Sequence, residues 1–181
     1  MKKGYLLIFL CITLGSCIPL RIAPTIEDYR VVEGKKFKKS LPQKTMFVFE
    51  DPKDEGHFYN YINTKFKLDD YRVDVDVPFQ IENKEYYFAY YEVEIPTKTL
   101  NLLPIVIDGI LESTETNDAV FSDAYSSRKG YWYIAIEVYD QEENDCLNDN
   151  SLIRKPMMEY LRELKQEYLS THNYNEVVFK N

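Results

Sequence analysis

Few residues in this chain have the type and spacing to do chemistry. Cys17 closes Leu14-Gly15-Ser16-Cys17 behind a short apolar run, where a thiol is placed for covalent modification rather than for catalysis. Cys146 stands alone in an acidic stretch, as a buried small hydrophobe or a free thiol. His57 beside Glu55 and His172 near the C-terminal end are the two imidazoles, and neither has a sequence neighbour that makes an acid-base pair or a metal site. The oxygen-rich run from Asp140 to Ser151 invites a calcium test. A calcium-binding helix-loop-helix needs glycine at the sixth loop position and glutamate at the twelfth. Counted from Asp140 those places hold Asp145 and Ser151, so the run reads as a solvated acidic loop. A Gly-rich phosphate loop, a His-Glu-x-x-His helix, a Gly-x-Ser-x-Gly elbow and a paired-cysteine metal site are all missing from the sequence. The expectation is no catalytic, cofactor-binding or metal-ligating residues. The aromatic run Tyr86-Tyr87-Phe88-Ala89-Tyr90-Tyr91 is the other lead. Tyr87 and Tyr91 share a strand face, and flat rings that carry hydroxyls suit stacking on sugars or capture of a partner's side chains.

The N-terminal residues say where the chain is expected to reside. Lys2 and Lys3 precede the apolar segment from Gly4 to Leu14, which at about 11 residues matches the core of a secretory signal and is too short to span a bilayer. Leu14-Gly15-Ser16-Cys17 resembles the lipobox of bacterial lipoproteins, with Leu first, a small residue third and Cys fourth. That resemblance covers the first 17 residues. It implies removal of residues 1–16, a diacylglyceryl thioether on Cys17 and acylation of the new amino terminus, with palmitate among the chains. Two or three chains hold firmly, at about 0.8 kcal/mol per buried methylene. Ile18 occupies the place where, in the enteric sorting pattern, aspartate would favour inner-membrane retention, and an acidic run after Cys17 is missing. The resemblance therefore implies an outer-membrane anchor facing the periplasm. The Tyr- and Lys-rich composition is similar to that of many Bacteroidota lipoproteins.

Composition bounds the remainder. The chain has 30 acidic and 22 basic residues, and the signal would take two of the basic ones, so the folded part is acidic. Such a chain lacks the basic footprint that nucleic-acid phosphates require. With Cys11 removed and Cys17 lipidated, Cys146 has no intramolecular disulfide partner. The remaining length suits one core that buries roughly 70% of the unfolded surface.

Elements that would position these residues follow from periodicity. Residues 17–27, with Pro19 and Pro24, read as a short lipidated tether, and 28–181 as a single α+β domain. Asp28–Phe37 reads as a strand entering a turn at Gly34, with Lys35, Lys36, Lys38 and Lys39 solubilising an edge. Thr45–Phe49 is a compact strand. Asp51, Pro52, Asp54 and Glu55 look like a helix start, which predicts a helix over 52–66 with Phe58, Tyr61, Ile62 and Phe66 inward and Lys65 snorkelling. Val73–Ile81 alternates, with Pro78 on an edge or bulge, and Glu85–Ile95 returns as its hairpin partner. Ile105–Ile107 reads as a strand, 112–129 as a long polar loop and Gly130–Tyr139 as a central strand. A helix over 153–171 presents Met157, Leu161, Leu164 and Tyr168 inward, and Glu176–Phe179 adds a last strand.

The expected architecture is α+β, a mainly antiparallel sheet with two packed helices. The expected function is that of a lipid-anchored cell-envelope lipoprotein, attached to the membrane through Cys17, whose domain has a non-catalytic binding or accessory role toward an envelope protein or glycan. The alternative is carbohydrate binding or a carboxylate-dependent glycan hydrolase, since two suitably spaced acids suffice for glycoside cleavage.

Overall fold

A computed structural model describes residues 17–20, 22–53, 55–101 and 126–174. The strands are β1 (Cys17–Leu20), β2 (Arg30–Glu33), β3 (Thr45–Asp51), β4 (Val77–Ile81), β5 (Lys84–Asn101) and β6 (Ser126–Tyr139). The helices are α1 (Gly34–Phe37), α2 (His57–Phe66) and α3 (Arg154–Ser170). The chain divides into two compact units, Thr25–Glu94 with Trp132–Asn181, and Met1–Pro24 with Ile95–Tyr131. In the second, β1 pairs antiparallel with β5 through Cys17↔Asn101 to Leu20↔Lys98.

The first unit is the expected α+β arrangement. Its strands run β5-β6-β3-β2, with β4 paired to β5. The registers Val31↔Phe47, Phe47↔Ile136 and Phe79↔Tyr86 are antiparallel. Period-two alternation sends Phe47, Phe49, Ile134, Ile136, Tyr86, Phe88 and Tyr90 to one face, where they meet Phe58, Tyr61 and Ile62 of α2 and Met157, Leu161, Leu164 and Tyr168 of α3 in one buried cluster. The rings interlock: Phe58 lies edge-on to Tyr90 at 4.7 Å and to Tyr168 at 4.9 Å between centroids. Burying each of these side chains contributes about 1.5–3 kcal/mol. The opposite face is also covered, at least in part. Phe37 of α1 meets Tyr133 edge-on at 5.3 Å, and Gly34 lies so close to Met46 that an added Cβ would come within 2.8 Å of its Sδ.

Several expected boundaries move. The helix expected to start at 52 starts at His57. Asp51 does not cap it: Asp51 ends β3 as a buried residue, and its carboxylate accepts the Lys53 N–H at 3.0 Å and the Tyr168 hydroxyl. Gly56, at φ 81°, instead turns the chain into α2. Lys65 does more than snorkel, for it pairs with Glu167 of α3 at 2.9 Å. The strand expected over 73–81 shortens to β4. Residues 73–76 form turns, with Arg72 and Asp76 at positive φ, and Val75 faces solvent. The strand expected from Gly130 starts earlier, at Ser126, and β5 runs past Ile95 to Asn101. The stretch 17–27, expected as an irregular tether, contains β1, and its Ala23 and Ile26 are buried. The sequence from Arg30 enters α1 at Gly34, where Lys36 pairs with Glu33 and Lys38 donates to the Glu94 carbonyl. Residues 1–16, the Ile105–Ile107 strand, most of the 112–129 loop and the Glu176–Phe179 strand lie outside the described residues.

Candidate functional site

The two tyrosines singled out by sequence leave the same face of β5 but reach different clefts. Four residues of strand separate them by about 13 Å. Their neighbours Tyr86, Phe88 and Tyr90 point the other way into the core beneath the helices, so the aromatic run is half core and half partly exposed surface.

Tyr87 helps to line a surface cleft of about 530 Å³, within the roughly 300–1,000 Å³ typical of small-ligand sites. Its wall comes from the turns before β4 (Leu68, Tyr71, Arg72, Asp76), from Pro78 on β4, from Tyr139 at the end of β6 and from Asp140, Gln141 and Glu143 just after it. Tyr87 stacks on Tyr139, centroids 6.3 Å apart at 21°, and donates its hydroxyl to Glu85 at 2.7 Å. Tyr139 in turn donates to Asp76 Oδ1 at 2.6 Å, and Arg72 pairs with the other Asp76 oxygen. Asp76 sits at φ 54°, a left-handed conformation that aspartate tolerates better than most residues, and these bonds hold it there. Burial, and after it the hydrogen bond to Asp76, pushes the Tyr139 hydroxyl well above the usual tyrosine range, so its proton stays in place as a donor. The hydrogen bond to Glu85 also raises the Tyr87 hydroxyl above its ordinary value. Tyr71, 72% exposed, offers an open ring at the mouth. The cleft thus combines aromatic faces with Arg72, Gln141 and carboxylates that can hydrogen-bond to hydroxyl groups.

Tyr91 donates to Glu137 Oε1 at 2.7 Å and borders a second cleft with Glu55, Gly56, Tyr59, Asp74, Tyr90 and Glu92. Glu137 is buried, and the Tyr91 hydroxyl satisfies one of its oxygens.

The acidic run after β6 is a folded loop. Asp140 Oδ1 accepts the N–H groups of Glu142 and Asn144, and the side-chain bond from Asn144 leads the effects that hold the Asp140 carboxyl below its ordinary value. Asp145 accepts Thr45 N–H at 2.8 Å and Leu147 N–H at 2.9 Å. The Asp140 and Asp145 oxygens are spent on backbone N–H groups and on the Asn144 amide, and among the described residues no group of three His, Cys, Asp or Glu side chains is placed to hold a metal ion. Cys146 is buried and free, with its thiol pushed up to about 11 by burial. His57 is exposed, 2.9 Å from the Tyr174 hydroxyl, and His172 is exposed as well.

Arg72, Asp76, Tyr71 and Tyr139 were missed by sequence reasoning. A signal existed in Asp69, Asp70, Asp74 and Asp76, whose density marks a turn-rich segment more readily than a strand. Comparison with protein-family models, curated proteins and solved structures finds no match for this chain.

Proposed function

We propose that this chain is a lipid-anchored cell-envelope lipoprotein whose folded part acts by binding, and that it takes a polyhydroxylated ligand, an envelope glycan, at the Tyr87 cleft. The cleft carries this reading. An exposed ring at Tyr71 and the stacked Tyr87–Tyr139 pair offer apolar faces for a sugar ring, next to Arg72 and Gln141, which can bond its hydroxyls. The anchor rests on Leu14-Gly15-Ser16-Cys17 and the apolar run before it. Among the described residues no helix is long and apolar enough to cross a membrane. Binding is favoured over hydrolysis because two of the carboxylates that line the cleft are already engaged, Asp76 by Tyr139 and Arg72 and Asp140 by the N–H groups of Glu142 and Asn144.

Two experiments test the two halves. Labelled palmitate fed to producing cells should mark the protein and fail to mark Cys17→Ala; equal labelling of both removes the anchor. A glycan array should return saturable binding that Tyr71→Ala weakens roughly two- to tenfold, the equivalent of about 0.5–1.5 kcal/mol of aromatic contact. An array without a hit, or a Tyr71→Ala variant that binds like the wild type, ends the glycan reading.

A further inference from the structure

Strand β2 is an edge of the sheet, and among the described residues β3 is its only partner. The Gly34 N–H bonds to the Lys44 carbonyl at 2.9 Å, next to the Glu33↔Thr45 pair, and this fixes the alternation of the ladder. Opposed residues of an antiparallel pair exchange hydrogen bonds at every second position. Val32 and Arg30 therefore turn their N–H and C=O groups toward β3, while Val31 turns both of its groups outward and Glu33 its N–H. An open edge of this kind is a template for a further strand. At another margin of the sheet, β4 carries exposed Pro78, which has no N–H to offer a neighbour; β2 contains no such block.

The edge opens onto a groove. Val31 faces the helix side of the sheet, because its partner Phe47 belongs to the buried cluster there. With Tyr29, Leu152 and Met158 it lines a cleft of about 510 Å³ between β2 and the first turns of α3. Leu152 is fully exposed, an apolar side chain at the rim that no described residue covers. The flank of α3 along this groove is basic: Met158 lines the cleft, Arg162 lies over the Tyr29 ring at 5.7 Å, Lys165 pairs with Asp28, and Arg154 and Lys155 stand one turn before Met158. Asp149 engages Arg154 at 3.1 Å. Lys155 and Arg162 are exposed, and among the described residues neither makes an ion pair. In a chain with 30 acidic and 22 basic residues, such a flank runs against the overall charge.

These features select an occupant. The outward amide groups of β2 call for an extended backbone, the cleft for an apolar side chain, and Lys155 with Arg162 for carboxylates. The two cations are seven residues, or about 10 Å, apart along α3 with Met158 between them. Carboxylates four residues apart on one face of an extended strand are about 13 Å apart, with an apolar residue midway, so flexible side chains bridge the difference. A second copy pairing antiparallel at β2 would set the basic flank against itself. A phosphate group would leave the amide groups and Leu152 unused.

We propose that β2 is a docking edge for an extended acidic peptide segment of a partner protein. The segment adds a strand outside Val31, places an apolar side chain against Met158 and Leu152, and sets carboxylates beside Lys155 and Arg162. This does not rest on glycan binding at the Tyr87 cleft.

Fluorescence anisotropy of a labelled Thr-Glu-Thr-Leu-Thr-Glu-Thr peptide titrated with the full-length protein tests it. Two control peptides run in parallel, one with lysine for glutamate and one with a fully N-methylated backbone. Saturable binding of the first peptide alone is expected, and its affinity should fall at least about tenfold in Val31→Pro and in Lys155→Glu. Val31→Pro removes an N–H that faces away from β3, so the β2–β3 ladder keeps its bonds. Lys155→Glu changes an exposed side chain and carries the test if the proline variant does not fold. Absence of binding, equal binding of either control, or wild-type affinity in either folded variant overturns the assignment. A dimer in sedimentation that Val31→Pro abolishes overturns it too, and gives the edge to a second copy.

Discussion

Tyr168→Phe removes one oxygen atom from the core and should unsettle the buried Asp51 in a way that depends on pH. The Tyr168 hydroxyl lies 3.0 and 2.8 Å from the two Asp51 oxygens, and the ring itself is fully buried against Phe58 and Phe49. The substitution keeps those ring contacts. Burial is the largest influence on Asp51 and raises its carboxyl above the ordinary 3.8, while the Lys53 N–H and then the Tyr168 hydroxyl pull it back down. Removing the hydroxyl therefore raises it further. A carboxyl raised on folding binds its proton more tightly in the folded state. Its contribution to stability is fully present below the unfolded value and is lost as pH climbs through the folded one. Hydrogen bonds to charged groups contribute about 1.5–3 kcal/mol and neutral ones about 0.5–1.5 kcal/mol. The variant should thus lose about 1.5–3 kcal/mol at pH 8, where Asp51 is ionised, and about 0.5–1.5 kcal/mol near pH 4. For a chain of this size the larger loss lowers the melting temperature by roughly 3–12 °C. Urea unfolding of wild type and variant across that pH range measures the gap. A cost that stays constant from pH 4 to 8 refutes the assignment, as does a pH trend that survives when both proteins also carry Asp51→Asn.

Other consequences are simpler to read. Gly34→Ala would place a Cβ 2.4 Å from the Pro42 carbonyl oxygen and 2.8 Å from Met46 Sδ, and backbone cannot yield as a side chain does. Overpacking of this kind costs about 1–3 kcal/mol, visible as a lower urea midpoint with an unchanged slope. Cys146, buried and with its thiol raised to about 11, should react with iodoacetamide at pH 8 far more slowly in the native protein than in 6 M guanidinium; equal rates would place it at the surface.

Strand and helix periodicity was legible where one face is buried. Phe58, Tyr61 and Ile62 on α2, and Met157, Leu161, Leu164 and Tyr168 on α3, all point to the core as their spacing predicts. Sequence reasoning went astray where local signals imitate one another. Asp51-Pro52 resembles a helix start, yet a buried hydroxyl 117 residues away claims the Asp51 carboxylate, a contact that local spacing cannot encode. Val73 to Val77 alternates like a strand. Valines 73 and 77 are indeed buried, but left-handed turns at Arg72 and Asp76 carry them there. The Tyr87 cleft was half visible. Tyr87 was chosen for its aromatic face, whereas Tyr139, Arg72 and Asp76 meet it through cross-strand stacking and turn geometry. Tyr87 and Tyr91 leave one strand face, yet each borders its own cleft, because the residues that wall them come from different turns.

The C-terminal helix is fastened to distant parts of the chain. Lys53 Nζ donates to the Tyr168 and Thr171 carbonyls across 115 and 118 residues, Lys65 meets Glu167 across 102, and Lys165 meets Asp28 across 137. Contacts of such separation slow folding, because loop-closure entropy is spent before they form. While the chain is still being made, β3 and α2 would wait with their apolar faces uncovered until α3 arrives. If the chain is exported as its N-terminal residues suggest, that delay has a use. A polypeptide that cannot complete its core before α3 emerges remains threadable for as long as translocation requires, and it closes only on the far side.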